Sequence, residues 1–182
     1  TPMARPDPHS CFDDSQPRAR QVRLRWEVDF DARCLRGEAI LDFGAEVSGV
    51  VDLDTKGLAL AEVLAGGQPL AWDLAPEEPI LGRRLRLDLP AGTREVTIRY
   101  AIAPDAAALQ WLTPAQTEGK RQPFLFSQCQ PIHARTLLPV QDTPAARVSY
   151  RAEITVPEAL TAVMSAGPTG VAPGPRPGTR SF

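Results

Sequence analysis

The sequence predicts an all-β protein, a saddle-like curved sheet or β-sandwich with one long irregular loop. Two features of the chain carry this prediction. Polar and apolar residues alternate with a period of two over several runs, and Gly and Pro separate those runs at short intervals. About eight to ten short strands of this kind are typical of a sandwich or an open curved sheet.

The clearest strand is "QVRLRWEVDF", residues 21–30. Alternate residues of a strand point to opposite faces, so its charged residues share one face and its apolar residues the other. The predicted inward residues are Val22, Leu24, Trp26, Val28 and Phe30.

Further strands follow in order. "LRGEAILDF" and "GVVDLDT" are predicted as two separate strands, and Asp52 and Asp54 of the second are expected on its solvated side. "LALAEVLAGGQPLAWDL" is predicted as a hairpin that turns at Gly66 and Gly67. "RRLRLDLP" and "REVTIRYAI" are two more strands separated by "AGT". The predicted inward residues of these runs are Leu35, Ala39, Leu41, Phe43, Leu85, Leu87, Leu89, Val96, Ile98 and Tyr100.

The middle of the chain breaks the alternation. Residues 103–123 are expected to form one helical turn near 106–109 and then a long loop, and residues 124–144 fit neither a strand nor a helix. "ARVSYRAEITVP" resumes the alternation, with Val148, Tyr150, Ala152, Ile154 and Val156 on one face, and "TAVMSAG" is predicted as a last short strand.

These patterns divide the chain into three parts. Residues 1–20 are predicted to be an N-terminal extension, 21–167 the β domain, and 168–182 a linker whose Pro and Gly content forbids regular structure.

Composition excludes several classes of protein. Hydrophobic residues make up 43% of the chain, enough for a real core, and the net charge of -2 argues against a nucleic-acid binder. No segment approaches the about 18 apolar residues of a membrane span.

The start of the chain and its cysteines indicate a compartment. Cys11, Cys34 and Cys129 are read as free thiols in a reducing environment, and "TPMARPDPHSCF" has no apolar signal core. A cytoplasmic protein is expected, with Met3 as its native start. A signal removed before Thr1 is the alternative.

Motifs of independent catalysis are missing from the sequence. The chain has no H-E-x-x-H and no G-x-S-x-G, and its only histidines are His9 and His133. Cys129 and His133 could form a nucleophile and its base. A buried cysteine and a histidine satisfied by the core is the favoured reading.

Two glutamines within the irregular segment are candidate binding groups. Gln128 and Gln130 are two residues apart, so on an extended strand both side chains would point the same way. Such amides could accept hydrogen bonds from a ligand ammonium, or they could satisfy backbone groups of the loop, which is the favoured reading from the residues alone. Pro131 favours an extended Gln130.

Arg135 and Asp142 could form an ion pair that locks the same segment. A buried pair of this kind needs good geometry to offset the desolvation of both charges, and a structural role is the default for each residue.

The irregular segment also resembles a known family. "LQWLTPAQTEGK", "FLFSQCQPIHARTLLPVQDTP" and "YRAEITVPEALTAVMSAG" are similar, in order and spacing, to the N-terminal domain of the leukotriene A4 hydrolase and aminopeptidase B branch of the zinc aminopeptidases. "DPHS" and "LDTKGL" resemble that branch too, so the resemblance covers residues 7–167.

The resemblance implies a non-catalytic domain of a zinc-dependent aminopeptidase. In the family this domain packs on a catalytic domain that carries H-E-x-x-H and binds the zinc, and that domain is not in this chain. Gln128, Cys129 and Gln130 match the family's Q-C-Q, which lines the substrate cleft and contacts the N-terminal residue of the peptide. Cys129 would contribute its backbone, and the matching positions His133, Arg135, Gln141 and Asp142 are expected to be structural.

Several expectations follow from the resemblance. The complete enzyme would hold zinc and this chain alone none, and its partners would be a peptide N-terminus and the catalytic domain, with no nucleic acid and no membrane. Pro131 stands where the family usually has Ala, and Val140 where it often has Cys. The alternative is a stand-alone β-sandwich that binds a peptide or a protein without catalysis.

Overall fold

The computed structural model describes residues 7–182, so the expectation that Met3 begins the native chain lies outside the described residues. Almost all of the regular structure is β, which confirms the all-β prediction. The strands are β1 Gln21–Asp29, β2 Cys34–Thr55, β3 Leu58–Ala65, β4 Gln68–Pro69, β5 Trp72–Leu74, β6 Arg83–Ile102, β7 Leu109–Leu112, β8 Phe124–Ser127, β9 Ser149–Pro157, β10 Ala172–Pro173 and β11 Thr179–Ser181. The helices are three short 3-10 turns, Pro114–Gln116, Glu118–Lys120 and Ala134–Thr136.

Nine of these strands form one mixed sheet. Its order is β10-β11-β9-β1-β2-β6-β3-β4, and β5 pairs with β6 beside this path. β1 and β9 run parallel, whereas the other pairings among the described strands are antiparallel. β7 and β8 form a separate two-stranded sheet.

Two long strands replace four predicted short ones. "LRGEAILDF" and "GVVDLDT" are joined in β2, and "RRLRLDLP" and "REVTIRYAI" in β6. The pairing of β2 with β6 shifts register between Asp42 and Val47 and again between Val47 and Gly49. Such bulges bend a strand and increase its twist without ending it, so the Gly and Pro there mark a change of direction.

The predicted core is confirmed. All ten residues predicted to face inward on β2 and β6 are at most 4% exposed. The four predicted inward residues of β1 are also buried, and Phe30 is half-buried against the edge of Trp111, with ring centroids 5.5 Å apart. The Gly66–Gly67 turn joins β3 to β4 with positive φ at both residues, as its sequence predicts.

The middle of the chain is more regular than predicted. In place of one helical turn and a long loop, residues 109–112 form β7 and pair with β8 at 124–127. Alternate residues of this hairpin, Leu109, Trp111 and Leu125, pack against the core. Short strands of four residues offer too few alternations for the pattern to be recognised.

The predicted end of the chain is wrong in two places. "TAVMSAG" forms no strand, and the Pro/Gly-rich segment that was predicted to lack regular structure contains β10 and β11. β11 pairs with β9, and the hydroxyls of Thr155 and Ser181 hydrogen-bond each other at 2.8 Å. Val148, predicted to face inward, precedes β9 and is exposed.

The segment before β1 packs on the rest of the molecule. Phe12 is fully buried, Ser10 is 2% exposed, and the guanidinium of Arg18 lies over the Phe12 ring. Residues 7–20 therefore contribute to the same body as the strands that follow.

Candidate functional site: the glutamine loop

The predicted binding residues lie in a short loop after β8, which we call the glutamine loop and define as residues 128–133. The backbone N–H of Gln128 donates to the carbonyl of Ala108 at 2.8 Å, and the N–H of His133 donates to the carbonyl of Cys129 at 2.8 Å. These bonds fix where the loop leaves β8 and where it turns back. Gln130 is therefore part of a turn rather than an extended strand edge, and its peptide bond to Pro131 is cis.

The two glutamines differ in what their side chains do. Both are exposed, but the side-chain oxygen of Gln128 accepts a hydrogen bond from the backbone N–H of Gln130 at 3.2 Å. Within residues 7–182, no partner hydrogen-bonds the side-chain amide of Gln130. One amide therefore supports the loop, and the other is available to a ligand.

Cys129 lacks the electrostatics of an activated nucleophile. Its side chain is half-buried. Burial raises the pKa of the Cys129 thiol, and the negative charge of Asp142 raises it further. A thiol that is harder to ionise is a poor nucleophile at neutral pH, so this chemistry gives no support to a Cys129–His133 catalytic pair.

An apolar surface adjoins the loop on β8. Phe124 is 52% exposed and Phe126 40% exposed, with ring centroids 6.1 Å apart. Leu125 between them packs against the core. We call Phe124 and Phe126 the phenylalanine face.

Arg135 lies just behind the glutamine loop and is fully buried. Its Nε donates to the Asp142 carboxylate at 2.9 Å, so the ion pair considered from the sequence is present. Its terminal nitrogens donate to the carbonyls of Leu81 at 3.0 Å and His9 at 2.8 Å. Each nitrogen of the buried guanidinium is thus hydrogen-bonded, as a buried charge requires.

Asp54 is a second carboxylate beside Arg135, buried and 3.8 Å from its guanidinium. It accepts hydrogen bonds from the Ser10 hydroxyl at 2.5 Å and from the backbone N–H groups of Cys11 and Asp142 at 2.8 and 3.0 Å. Its expected position on the solvated side of a strand is wrong, because all five residues of 51–55 are buried. Alternation could not reveal this, since both faces of the strand end are covered.

Asp52, expected to be solvated as well, is 4% exposed. Arg86 donates to both of its oxygens at 2.8 Å, and the side-chain amide of Gln16 donates to one of them at 2.9 Å. Burial opposes ionisation of the Asp52 carboxyl, but the hydrogen bonds from Arg86 and Gln16 outweigh it and lower the pKa.

The two remaining candidate residues, Gln141 and His133, make structural hydrogen bonds that involve backbone groups. Gln141 is 5% exposed, accepts from the Ala19 N–H at 3.2 Å and donates to the Pro17 carbonyl at 3.0 Å. His133 is half-buried, and its carbonyl accepts from both the N–H and the hydroxyl of Thr136.

Sequence reasoning overlooked Ser10, Leu81 and Asp54 as supports of this region. Leu81 contributes only a carbonyl, which no pattern of side chains can signal. Ser10 lies in "DPHS" and Asp54 in "LDTKGL", so the two motifs that carry the early part of the resemblance meet here.

Residues 7–182 show neither a metal cluster nor a membrane-spanning helix. They contain no group of three or more His, Cys, Asp or Glu side chains placed to hold a metal ion. They also contain no helix with the length and apolar character needed to cross a membrane.

A protein-family model matches most of the chain. The family described as Peptidase M1 N-terminal domain matches residues 19–171. Leucine aminopeptidase 2 of Chaetomium globosum is 35% identical over 164 residues, which cover 86% of this chain and 27% of that protein. Leucine aminopeptidase 2 of Neurospora crassa is also 35% identical, with 86% and 25% covered. The chain thus spans about a quarter of the length of these curated relatives.

Solved structures share the fold. Native leukotriene A4 hydrolase from Saccharomyces cerevisiae superposes with a TM-score of 0.74 at 26% identity, over 84% of this chain and 26% of that one. An M1 zinc metallopeptidase variant from Deinococcus radiodurans, bound to a Tyr-Ser-Ala substrate, superposes with a TM-score of 0.66 at 19% identity, over 90% of this chain and 38% of that one.

Proposed function

The chain belongs to the Peptidase M1 N-terminal domain family, and from this premise we propose that it is the substrate-lining, non-catalytic domain of a zinc-dependent aminopeptidase. The complete protein would remove N-terminal residues from peptides. This domain would form part of the cleft that receives the peptide N-terminus.

The observation that carries the proposal is the free side-chain amide of Gln130 on a loop whose backbone is fixed. Its carbonyl can accept a hydrogen bond from the ammonium of a peptide N-terminus, and its NH₂ can donate to a backbone carbonyl. Gln128 contributes indirectly, because its side chain holds the Gln130 backbone at 3.2 Å. Cys129 contributes backbone to the same loop. Holding a substrate in the reactive geometry is a large part of catalysis, so a domain without catalytic groups can still control the rate.

The phenylalanine face supports a second part of the proposal, contact with a catalytic domain. Large exposed aromatic side chains next to a binding loop are typical of a surface that another body covers. We assign Phe124 and Phe126 to that contact, because they lie on the strand that leads directly into the glutamine loop. The catalytic domain would then meet this chain beside the substrate.

Zinc would be held outside this chain. The donor set in residues 7–182 does not fit a zinc site, because these residues bring together no three ligating side chains. This chain would therefore contact the substrate, and the catalytic domain would bind the metal. We further propose that the complete protein is cytoplasmic, on the basis of the free cysteines Cys34 and Cys129.

The test is a peptidase assay of the complete natural protein. We expect it to hydrolyse aminoacyl anilides, to lose that activity with a zinc chelator, and to regain it with added zinc, whereas residues 1–182 alone should show no turnover. Binding of peptides by the complete protein without any turnover would contradict the proposal and favour a stand-alone binding module.

A further inference from the structure

We infer that Arg135 is a positioning residue for substrate binding: through its buried contacts it sets the place of the glutamine loop, and hence the direction in which Gln130 presents its amide. This inference rests on the proposed function, but it concerns a residue that touches no substrate. The sequence alone suggested only that Arg135 and Asp142 lock their own segment.

Ala108, just before β7, joins the start of the glutamine loop to the turn that follows the loop. Ala108 accepts the backbone hydrogen bond of Gln128 through its carbonyl at 2.8 Å, and its N–H donates to the hydroxyl of Thr136 at 3.2 Å. The loop is therefore closed at its base, with Gln130 near its tip. A shift at the Thr136 end displaces the tip, because the other end is fixed to β8.

Arg135 controls that second end. It lies next to Thr136 in the 3-10 turn Ala134–Thr136, which directly follows the loop. Its backbone is bound as well as its side chain: the N–H donates to the Asp142 carboxylate at 3.3 Å and the carbonyl accepts from the N–H of Lys56 at 2.9 Å. No other residue of the turn has this number of contacts with distant segments.

Four separate segments of the chain meet at the Arg135 side chain. They are the N-terminal segment through the His9 carbonyl, the end of β2 through Asp54, the approach to β6 through the Leu81 carbonyl, and the chain after the turn through Asp142. A planar guanidinium with five N–H donors can bind such divergent partners at once. A lysine ammonium retains the charge but cannot make the same set of contacts.

The network is also more than a local ion pair. Asp54 binds Ser10 and the backbone of Asp142, so it joins the N-terminal segment to the far side of the same cluster. The strand end and the segment after the turn are bridged by backbone bonds between Asp54 and Val140 at 2.8 and 3.2 Å. The segment that carries the glutamine loop is thus hydrogen-bonded to the end of β2 in the nine-stranded sheet.

The experiment is a double-mutant cycle in the complete natural protein. Arg135→Lys and Asp142→Asn are each made with Gln130 present and with Gln130→Ala, and kcat and KM are measured for an aminoacyl anilide below the unfolding temperature of every variant. With Gln130 present we expect kcat/KM to fall about 10- to 100-fold, mainly through KM. In the Gln130→Ala background the same changes should lower kcat/KM by less than about twofold, because the Gln130 side chain that they would misplace is absent.

Arg86→Lys is the matched control, because Arg86, like Arg135, pairs with an aspartate of β2, and its bonds go to both oxygens of Asp52 and to no residue of the glutamine loop. It should leave KM unchanged. An equal loss from Arg135→Lys in both backgrounds, or no loss in either, would overturn the inference. Asp142→Asn keeps the test decisive should Arg135→Lys fail to fold. Ser10→Ala is a milder third change, because it removes the hydrogen bond from the Ser10 hydroxyl to Asp54 but no charge.

Hydrogen exchange separates this inference from the proposed function. In the complete Asp142→Asn protein we expect faster exchange at the N–H groups of Gln130 and His133, with exchange in β1 unchanged. Protection equal to that of the unaltered protein would show that Arg135 and Asp142 do not hold the loop. This outcome does not depend on any peptidase activity, whose absence in the unaltered protein would instead contradict the proposed function.

Discussion

Asp52 keeps its charge inside the molecule because Arg86 and Gln16 replace the water that a carboxylate normally binds. The Arg86 guanidinium donates to both carboxylate oxygens, and these hydrogen bonds to Asp52 raise the pKa of Arg86. Gln16 completes the site: it donates to the carboxylate and accepts from the Asp52 N–H at 2.8 Å. This residue therefore couples the N-terminal segment to β2 and β6.

Asp52 should make the stability of the protein depend on pH in acid. Its folded pKa lies below the usual 3.8, so its contribution is fully present above that value and is lost as the pH falls through the lower folded pKa. Asp52→Asn should lower the free energy of unfolding by roughly 1.5–3 kcal/mol at neutral pH and by less in acid. Urea unfolding at a series of pH values measures this.

The exposed Asp88, close by on β6, provides the control for that experiment. Asp88→Asn should change the free energy of unfolding little at any pH. A loss for Asp52→Asn that stays constant from neutral pH to strong acid would contradict the role given to the Asp52 charge.

At the residue level, the sequence allowed the Arg135–Asp142 pair to be considered but not its surroundings. Two opposite charges seven residues apart in one odd segment suggest a pair. The other partners of Arg135 are the carbonyls of His9 and Leu81, which are 126 and 54 residues away along the chain. Contacts of that kind depend on how the chain returns to one place, and residue types do not encode them.

The outward face of the large sheet carries a row of alternating charges. Glu153, Arg25, Glu38, Arg99 and Glu62 are neighbours on five adjacent strands, β9, β1, β2, β6 and β3. Arg25 and Arg99 both donate to Glu38, at 2.8 and 3.0 Å. Cross-strand pairs of opposite charge stabilise this register. A slip by one residue would break them and would also turn the apolar face of the strand toward solvent.

The last strand should contribute to stability although its sequence is that of a linker. Phe182 exchanges two backbone hydrogen bonds with Ile154 at 3.1 Å each, and Ser181 is buried against Thr155. A chain that ends at Gly178 should unfold about 2–8 °C below the full chain, as scanning calorimetry would measure. Val171→Ala, at an exposed residue of the same segment, should leave the unfolding temperature unchanged.

An equal unfolding temperature for the shortened and full chains would mean that β11 does not contribute to stability. The sequence could not predict β11 because a high content of Pro and Gly indicates only the local preference of the backbone. Residues 179–181 lie just after Gly178 and contain neither residue type, but three residues are too few to show alternation. Their pairing with β9 is a tertiary contact.

For the whole molecule, alternation predicted the fold class and the core, and the resemblance predicted the family. The strand faces of Leu85 to Leu89 and Val96 to Tyr100 follow from period two alone. Alternation could not indicate that these two runs form one strand, because the register shifts in the pairing of β2 with β6 interrupt the pattern without ending either strand. The residues alone made Gln128 and Gln130 candidates, and the resemblance favoured a binding role for them, whereas the turn and its buried support required the folded chain.

The proposed role of Gln130 is to orient the peptide substrate of the complete protein. The most direct measurement is kcat/KM for an aminoacyl anilide in the complete protein, comparing Gln130→Ala with Gln122→Ala, a change at an exposed glutamine before β8. We predict a loss of about tenfold or more for Gln130→Ala and none for Gln122→Ala, with the same unfolding temperature for both. A kcat/KM for Gln130→Ala within about twofold of the unaltered enzyme would contradict the claim.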